Sequence, residues 1–107
     1  MSRYCIFCEI AAHREPADIL YEDEEVMVFR NRLHWVPTML LAIHKQHEMQ
    51  ADLWKDMGRV GEIAVQIAQK ECPNGFRLIS NFGYDGMQSQ EHAHVHILGG
   101  MFLGEYA

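Results

Sequence analysis

His92-Ala93-His94-Val95-His96-Ile97-Leu98 is the stretch on which the fold turns. Imidazoles alternate with small or aliphatic side chains at a strict period of two, and in a strand alternate side chains share a face. A strand over 92–98 therefore sets His92, His94 and His96 on one surface. Ala93, Val95 and Ile97 take the other, where they can pack on a core. Three imidazoles fill a core badly, since each ring brings two nitrogens that need partners. Such a row points to a site. Two chemistries suit it: imidazoles as ligands of a transition metal, or a neutral imidazole as a nucleophile that its neighbours orient and polarise.

The residues just before the row favour the second. Phe82 to Gln90 reads as a polar, Gly-containing loop, and Asn81, Gly83, Asp85-Gly86 and Gln88-Ser89 supply backbone amides, side-chain amides and a hydroxyl. Such a set suits an anionic oxygen, for instance a phosphate, held against the middle histidine. A metal site alone has no need of it. Phe76 to Asn81 reads as the preceding strand. From Leu53 to Lys70 the apolar residues Leu53, Met57, Val60, Ala64, Ile67 and Ala68 recur at spacings of four and three, which predicts one long amphipathic helix. Asp52 stands where it can cap that helix, and Cys72-Pro73-Asn74-Gly75 ends it. Gly58 and Gly61 inside it cost about 1 kcal/mol each relative to Ala, so either another backbone approaches there or the cost is tolerated.

Nearer the start, Thr38 to Ile43 is an almost continuous apolar run, as in a strand covered on both faces. Ile19 to Tyr21 and Val26 to Phe29 suit a hairpin around an acidic cluster, although no Gly or Asn marks its turn. Ile6 to Ala12 has room for one or two helical turns. The order is short helix, three strands, long helix, two strands. It predicts an α+β fold, a five-stranded antiparallel sheet with one long helix and a short N-terminal helix.

The 107 residues hold no repeat, low-complexity tract or linker, so residues 1–107 are expected to form one domain. With 49% apolar and 22% charged residues, the chain matches an ordinary soluble globular protein, which excludes disorder and a disulfide miniprotein. No apolar run nears the roughly 18 residues of a membrane helix, and the opening Met-Ser-Arg-Tyr-Cys lacks a signal peptide's apolar segment. A cytoplasmic protein without a membrane partner is expected. The net charge of -6 opposes general nucleic-acid binding. Small phosphorylated ligands stay open, because a pocket can differ in sign from the whole.

Cys5 and Cys8 stand two residues apart, and Cys72 stands alone. Two such thiolates make half of a tetrahedral zinc site that imidazoles can complete. Two idle thiols are an alternative. A thioredoxin-like dithiol is disfavoured, because no strand precedes the pair to start a βαβ unit.

The run from Asn81 to Gly100, with Gln88-Ser89 ahead of His92-x-His94-x-His96, resembles the histidine triad (HIT) superfamily, nearest its Hint-like branch of nucleoside phosphoramidases. Cys5-Ile-Phe-Cys8, Tyr21-Glu22-Asp23, Phe29, Pro37-Thr38 and Ile43-His44-Lys45-Gln46-His47 extend the likeness over nearly the whole chain. The resemblance implies a nucleotide hydrolase or transferase in which His94 attacks the α-phosphorus of a nucleoside phosphoramidate or nucleotide ester. A nucleotidyl-histidine intermediate follows, which water resolves. By the same resemblance His96 bonds a phosphate oxygen, Ser89 helps pass a proton to the leaving group, and Asn81 and Gln88 position the phosphate. It also implies a structural zinc on Cys5, Cys8, His47 and His92, no organic cofactor, and a homodimer. His13, His34 and His44 are expected at the surface, and Cys72 in a structural role.

Two positions depart from the family's pattern. Met39 stands where a further histidine is common, and a thioether cannot replace an imidazole's hydrogen bonds. Asn31 stands where the branch carries an aspartate on the ribose hydroxyls, and an amide has one acceptor oxygen instead of two. These departures keep two other readings open: a nucleotide-binding or interaction module of the same fold with little turnover, and a hydrolase whose zinc sits directly on the triad.

Overall fold

Five strands, β1 (Ile19–Glu22), β2 (Val26–Arg30), β3 (Thr38–His44), β4 (Phe76–Ile79) and β5 (Val95–Gly99), form one antiparallel sheet in the order β1-β2-β3-β5-β4. The computed structural model describes residues 4–105. Among the described residues three helices accompany the sheet: α1 (Ile6–Ala11), α2 (Gln50–Lys55) and α3 (Gly58–Glu71). The expected α+β architecture is present.

Strand alternation sorts the core into two layers. Val26 and Val28, Leu40 and Ala42, and Ala93, Val95 and Ile97 face Leu53 of α2 and Val60, Ile63, Ala64 and Ala68 of α3. The opposite face sets Met27, Phe29, Leu41 and Ile43 against Phe7 and Ile10 of α1. Each large aliphatic side chain so buried contributes roughly 1.5–3 kcal/mol. Asp23 makes the β1–β2 turn without Gly or Asn. Its Oδ1 accepts the Glu25 and Val26 N–H groups at 2.8 Å, and its Oδ2 takes the Tyr21 hydroxyl and the Arg59 guanidinium. These bonds, the Tyr21 hydroxyl first, hold the Asp23 carboxyl well below the usual carboxylate range.

Three elements differ from expectation. The long helix is two helices, because Asp56 leaves helical geometry (φ -137°, ψ 46°) and the chain restarts at Gly58. Asp and Gly are both weak helix formers, so the break falls where propensity is lowest. Met49, not Asp52, occupies the N-cap of α2, and Asp52 instead meets Lys55 at 3.3 Å. Among the described residues a Cβ on Gly58 would touch nothing within 4 Å, and one on Gly61 would meet only Met57 of the preceding turn, so no other described backbone approaches either glycine. Close approach occurs at Gly99, where a Cβ would lie 2.5 Å from the buried Cys72 Sγ.

β5 begins at Val95 rather than His92. Its ladder with β3 ends at the Ala42–Val95 pair. Residues 92–94 bond instead to residues 44–50, from the last residue of β3 to the first of α2: His92 Nε2 to the His44 carbonyl (2.8 Å), Ala93 N–H to the Glu48 carbonyl (2.9 Å) and His94 N–H to Gln50 Oε1 (2.9 Å). The alternation of faces persists through this detour. β4 likewise stops at Ile79, short of Asn81.

Candidate active site and metal cluster

His92 and His94 are each 1% exposed, yet their rings serve different neighbourhoods. His94 Nδ1 lies 2.9 Å from the His92 carbonyl oxygen. A carbonyl only accepts, so Nδ1 carries the proton and Nε2 of the neutral ring keeps a lone pair. The ring lines a cleft of about 570 Å³, within the size range of small-molecule sites. Ile6, Phe7 and Ile10 of α1 form one wall, with Phe29 and Leu41 from the sheet. Residues Arg30 to His34 line it as well, together with Ser89, Gln90 and His96.

The rings of His94 and His96 meet edge to face at 5.0 Å, and Phe7 packs edge-on against His94 at 5.3 Å. Burial pushes both histidines below the usual imidazole range, His96 down to about 4 with the neighbouring His94 ring adding to the effect. For His94 the bond to the His92 carbonyl acts the other way. Near neutrality both rings are uncharged, as a nitrogen nucleophile must be.

Ser89 and Asn31 also line the cleft, at opposite ends of the loops that frame it. Asn31 Oδ1 accepts the Leu33 N–H at 3.0 Å, which leaves one lone pair of that oxygen and the NH₂ group to meet a ligand. Asn81 and Gln88 do not line it; they brace the loop. Asn81 Nδ2 donates to the Gly86 carbonyl (2.7 Å), Gln88 Oε1 accepts the Gly83 N–H (2.9 Å), and Gln88 Nε2 donates to the Gln90 carbonyl (3.0 Å). Met39 is 6% exposed, and its sulfur accepts the Trp35 N–H at 3.1 Å, which fixes the loop behind Asn31.

His92 turns away from the cleft. Its Nε2 donates to the His44 carbonyl, so Nδ1 holds the lone pair, 3.5 Å from Cys5 Sγ and 3.4 Å from Cys8 Sγ. His47 Nδ1 lies 3.4 Å from Cys8 Sγ, and the four donor atoms lie within 4.8 Å of one another. A tetrahedral zinc with ordinary bond lengths needs S–N edges of about 3.6 Å, so the four residues fit that ion. Glu91 Oε1 stands 3.5 Å from His47 Nε2, the position of an outer carboxylate that orients a ligating imidazole. Burial pushes the Cys8 thiol up to about 11, and Cys5 beside it adds to the rise. A dication among the donors reverses that preference. His13 and His34 are at the surface as expected; His44 is half-buried against Glu48.

Sequence reasoning missed Gln50. It is 2% exposed, with one amide end on His94 and the other on the Asn81 carbonyl. A lone Gln at a helix start carries no periodic signal.

A family model described as "Scavenger mRNA decapping enzyme C-term binding" matches residues 4–106. The purine nucleoside phosphoramidase of Escherichia coli (strain K12) is 34% identical over 111 residues, covering 97% of this chain and 93% of the relative. The chain belongs to that family, within the histidine triad superfamily. Solved histidine triad structures agree. A histidine triad protein from Clostridium difficile superposes with a TM-score of 0.88 at 32% identity over 100% of both chains. A HIT family hydrolase from Legionella pneumophila gives 0.86 at 32% identity over 94% of this chain and 96% of that one. Among the described residues no helix is long and apolar enough to cross a membrane.

Proposed function

We propose that this histidine triad protein is a hydrolase of nucleoside phosphoramidates or nucleotide esters, with His94 as its nucleophile. The observation that carries the reading is the Nδ1–H bond of His94 to the His92 carbonyl, which reserves Nε2 as a lone-pair nitrogen on a ring lining the cleft. In the first step Nε2 bonds to the α-phosphorus and the P–N or P–O bond to the leaving group breaks. The leaving amine or alcohol takes a proton from solvent, relayed by the Ser89 hydroxyl, which gives up one proton and regains one. In the second step water attacks the same phosphorus, the P–Nε2 bond breaks, and a nucleoside monophosphate leaves while one water proton passes to solvent. His96, uncharged, donates one ring N–H to a phosphate oxygen. Asn81 and Gln88 act through the loop they brace, and Asn31 meets the sugar. The similarity to a purine nucleoside phosphoramidase supports this substrate class.

Cys5, Cys8, His47 and His92 hold zinc in this reading. Four protein ligands leave no open coordination position, so the metal's part is to fix α1 and His92 in place. The reading carries a cytoplasmic homodimer, for which light scattering of the purified chain reads the mass.

Incubation with adenosine 5′-phosphoramidate tests the reaction. A covalent AMP adduct forms on the wild type, is absent from His94→Ala, and survives brief chelation. The loss of Met39's imidazole counterpart favours a second reading, a nucleotide-binding module with little turnover. It is the reading left if AMP raises the melting temperature and no adduct or product appears. Activity that zinc restores directly after chelation, with α1 still in place, places a metal on the triad and sinks the His94 mechanism.

A further inference from the structure

Gln50 links the two halves of the cleft's catalytic end. Its Oε1 accepts the backbone N–H of His94 at 2.9 Å, and its Nε2 donates to the Asn81 carbonyl at 3.1 Å. Asn81 heads the loop that ends in Ser89 and Gln90, both on the cleft. The two segments Gln50 touches have no strand pairing with each other, since β4 has ended at Ile79 and β5 has not begun before Val95. The side chain does there what a ladder would do elsewhere. It is one of three buried polar side chains among the described residues, beside His92 and His94. A buried amide costs free energy unless all its groups are paired, so both bonds are needed to hold it in the core.

We infer that Gln50 is a positioning residue, setting the distance between the His94 ring and the Ser89 loop. The inference rests on the function proposed above and assigns that site a part outside the triad. Because His94 N–H is spent on Gln50, the His94 backbone cannot rotate without breaking a buried bond, and the Nε2 lone pair keeps its direction. Because the same amide holds Asn81, a shift of the loop moves with the nucleophile rather than against it. Gln50 touches no substrate. Its loss acts on the chemical step, where a displacement of about 1 Å costs on the order of 100-fold.

The test uses the full, zinc-loaded chain with adenosine 5′-phosphoramidate as probe, in wild type, Gln50→Leu and Gln50→Glu. Four quantities are read: the first-turnover rate of AMP adduct formation at saturating probe, KM, the ¹⁵N imidazole signals of His94, His92 and His47, and the melting temperature. Gln50→Leu is expected to slow adduct formation about 10- to 100-fold, with KM within about threefold. It should displace the His94 ring signals while those of His92 and His47 hold. Gln50→Glu keeps an acceptor for His94 N–H and loses the donor to Asn81, so its rate is expected between the other two. The inference is overturned if Gln50→Leu forms adduct at the wild-type rate. It is overturned equally if the slowing matches only the unfolded fraction while the His94 signals stay put, or if Glu and Leu lose the same amount. A wild type that forms no adduct sinks the function reading alone, because the ring signals still judge Gln50.

Discussion

His92 and His94 are two residues apart, on one face, equally buried and of one chemistry, yet the proposed function gives them opposite work. The difference lies in which nitrogen holds the proton. A backbone carbonyl takes Nε2–H of His92 and leaves Nδ1 toward two sulfurs; another takes Nδ1–H of His94 and leaves Nε2 toward the cleft. Residue type supplies the ring, and the carbonyl it meets supplies the role. The carbonyl that sets His94 belongs to His92 itself, so the metal-side residue orients its neighbour through the main chain. Phe7 joins the two corners a second time, its ring edge-on to both imidazoles at 5.8 and 5.3 Å.

Truncation breaks the comparison most sharply. His94→Ala is expected to lower adduct formation by at least about 1,000-fold, since in the proposed reaction it removes the nucleophile. It should leave zinc content near that of the wild type. His92→Ala should do the reverse in kind, losing zinc and retaining a measurable rate. Metal analysis beside single-turnover kinetics decides, and equal loss of zinc from both variants contradicts the division of labour.

The next effect is on stability. Folded His96 titrates at about 4, and an unfolded imidazole near 6.5. Between those values the unfolded chain binds a proton that the folded chain refuses, so stability falls as pH drops from about 6.5 toward 4 and is level with respect to this group above that window. The His96 share is of order 1–3 kcal/mol. Denaturant midpoints of wild type and His96→Gln at pH 7 and pH 5, with zinc monitored, isolate it. A slope that the substitution leaves unchanged assigns the acid loss to His94, which burial also lowers, or to the metal corner.

How much of this was legible follows from what encodes it. The alternation from Ala93 to Ile97 was readable because a strand's period of two is a backbone property, and it orders the faces even where ladder bonds are missing. The start of β5 was not readable. It depends on carbonyls of His44 and Glu48 and on the Gln50 amide, partners more than 40 positions away in the chain. The helix break at Asp56 was signalled only by two weak helix formers inside a strong apolar stripe, and the stripe dominated the reading. Cys5-x-x-Cys8 alone left metal, idle thiols and redox chemistry open. Geometry joins the pair to His47 and His92, which the family resemblance had named.

Removal of zinc sharpens the comparison by testing whether one corner supports the other. α1 hangs on Cys5 and Cys8 and carries Ile6, Phe7 and Ile10 into the cleft wall. Chelation is therefore expected to raise KM about tenfold, the equivalent of about 1.4 kcal/mol of lost aromatic and apolar contact. The maximal rate should fall less, because Gln50 and the His92 carbonyl still hold His94. A kcat that collapses while KM stays constant would place the metal's influence on the nucleophile rather than on the wall.

The smallest effect belongs to Asn31, which lines the cleft but is part of neither corner. Asn31 has one acceptor oxygen, already half spent on the Leu33 N–H, and offers a ligand its second lone pair and its NH₂ group. Asn31→Asp keeps that turn with one carboxylate oxygen and frees the second to accept a ribose hydroxyl. One such hydrogen bond is worth about 0.5–1.5 kcal/mol, so KM for a ribonucleoside phosphoramidate is expected to fall about 3- to 10-fold with kcat unchanged. The 2′,3′-dideoxy analogue, which lacks the hydroxyls, should show no gain. An equal change for both substrates would mean that the added negative charge acts through Arg30 and Arg32, which line the same cleft, and that the sugar lies elsewhere.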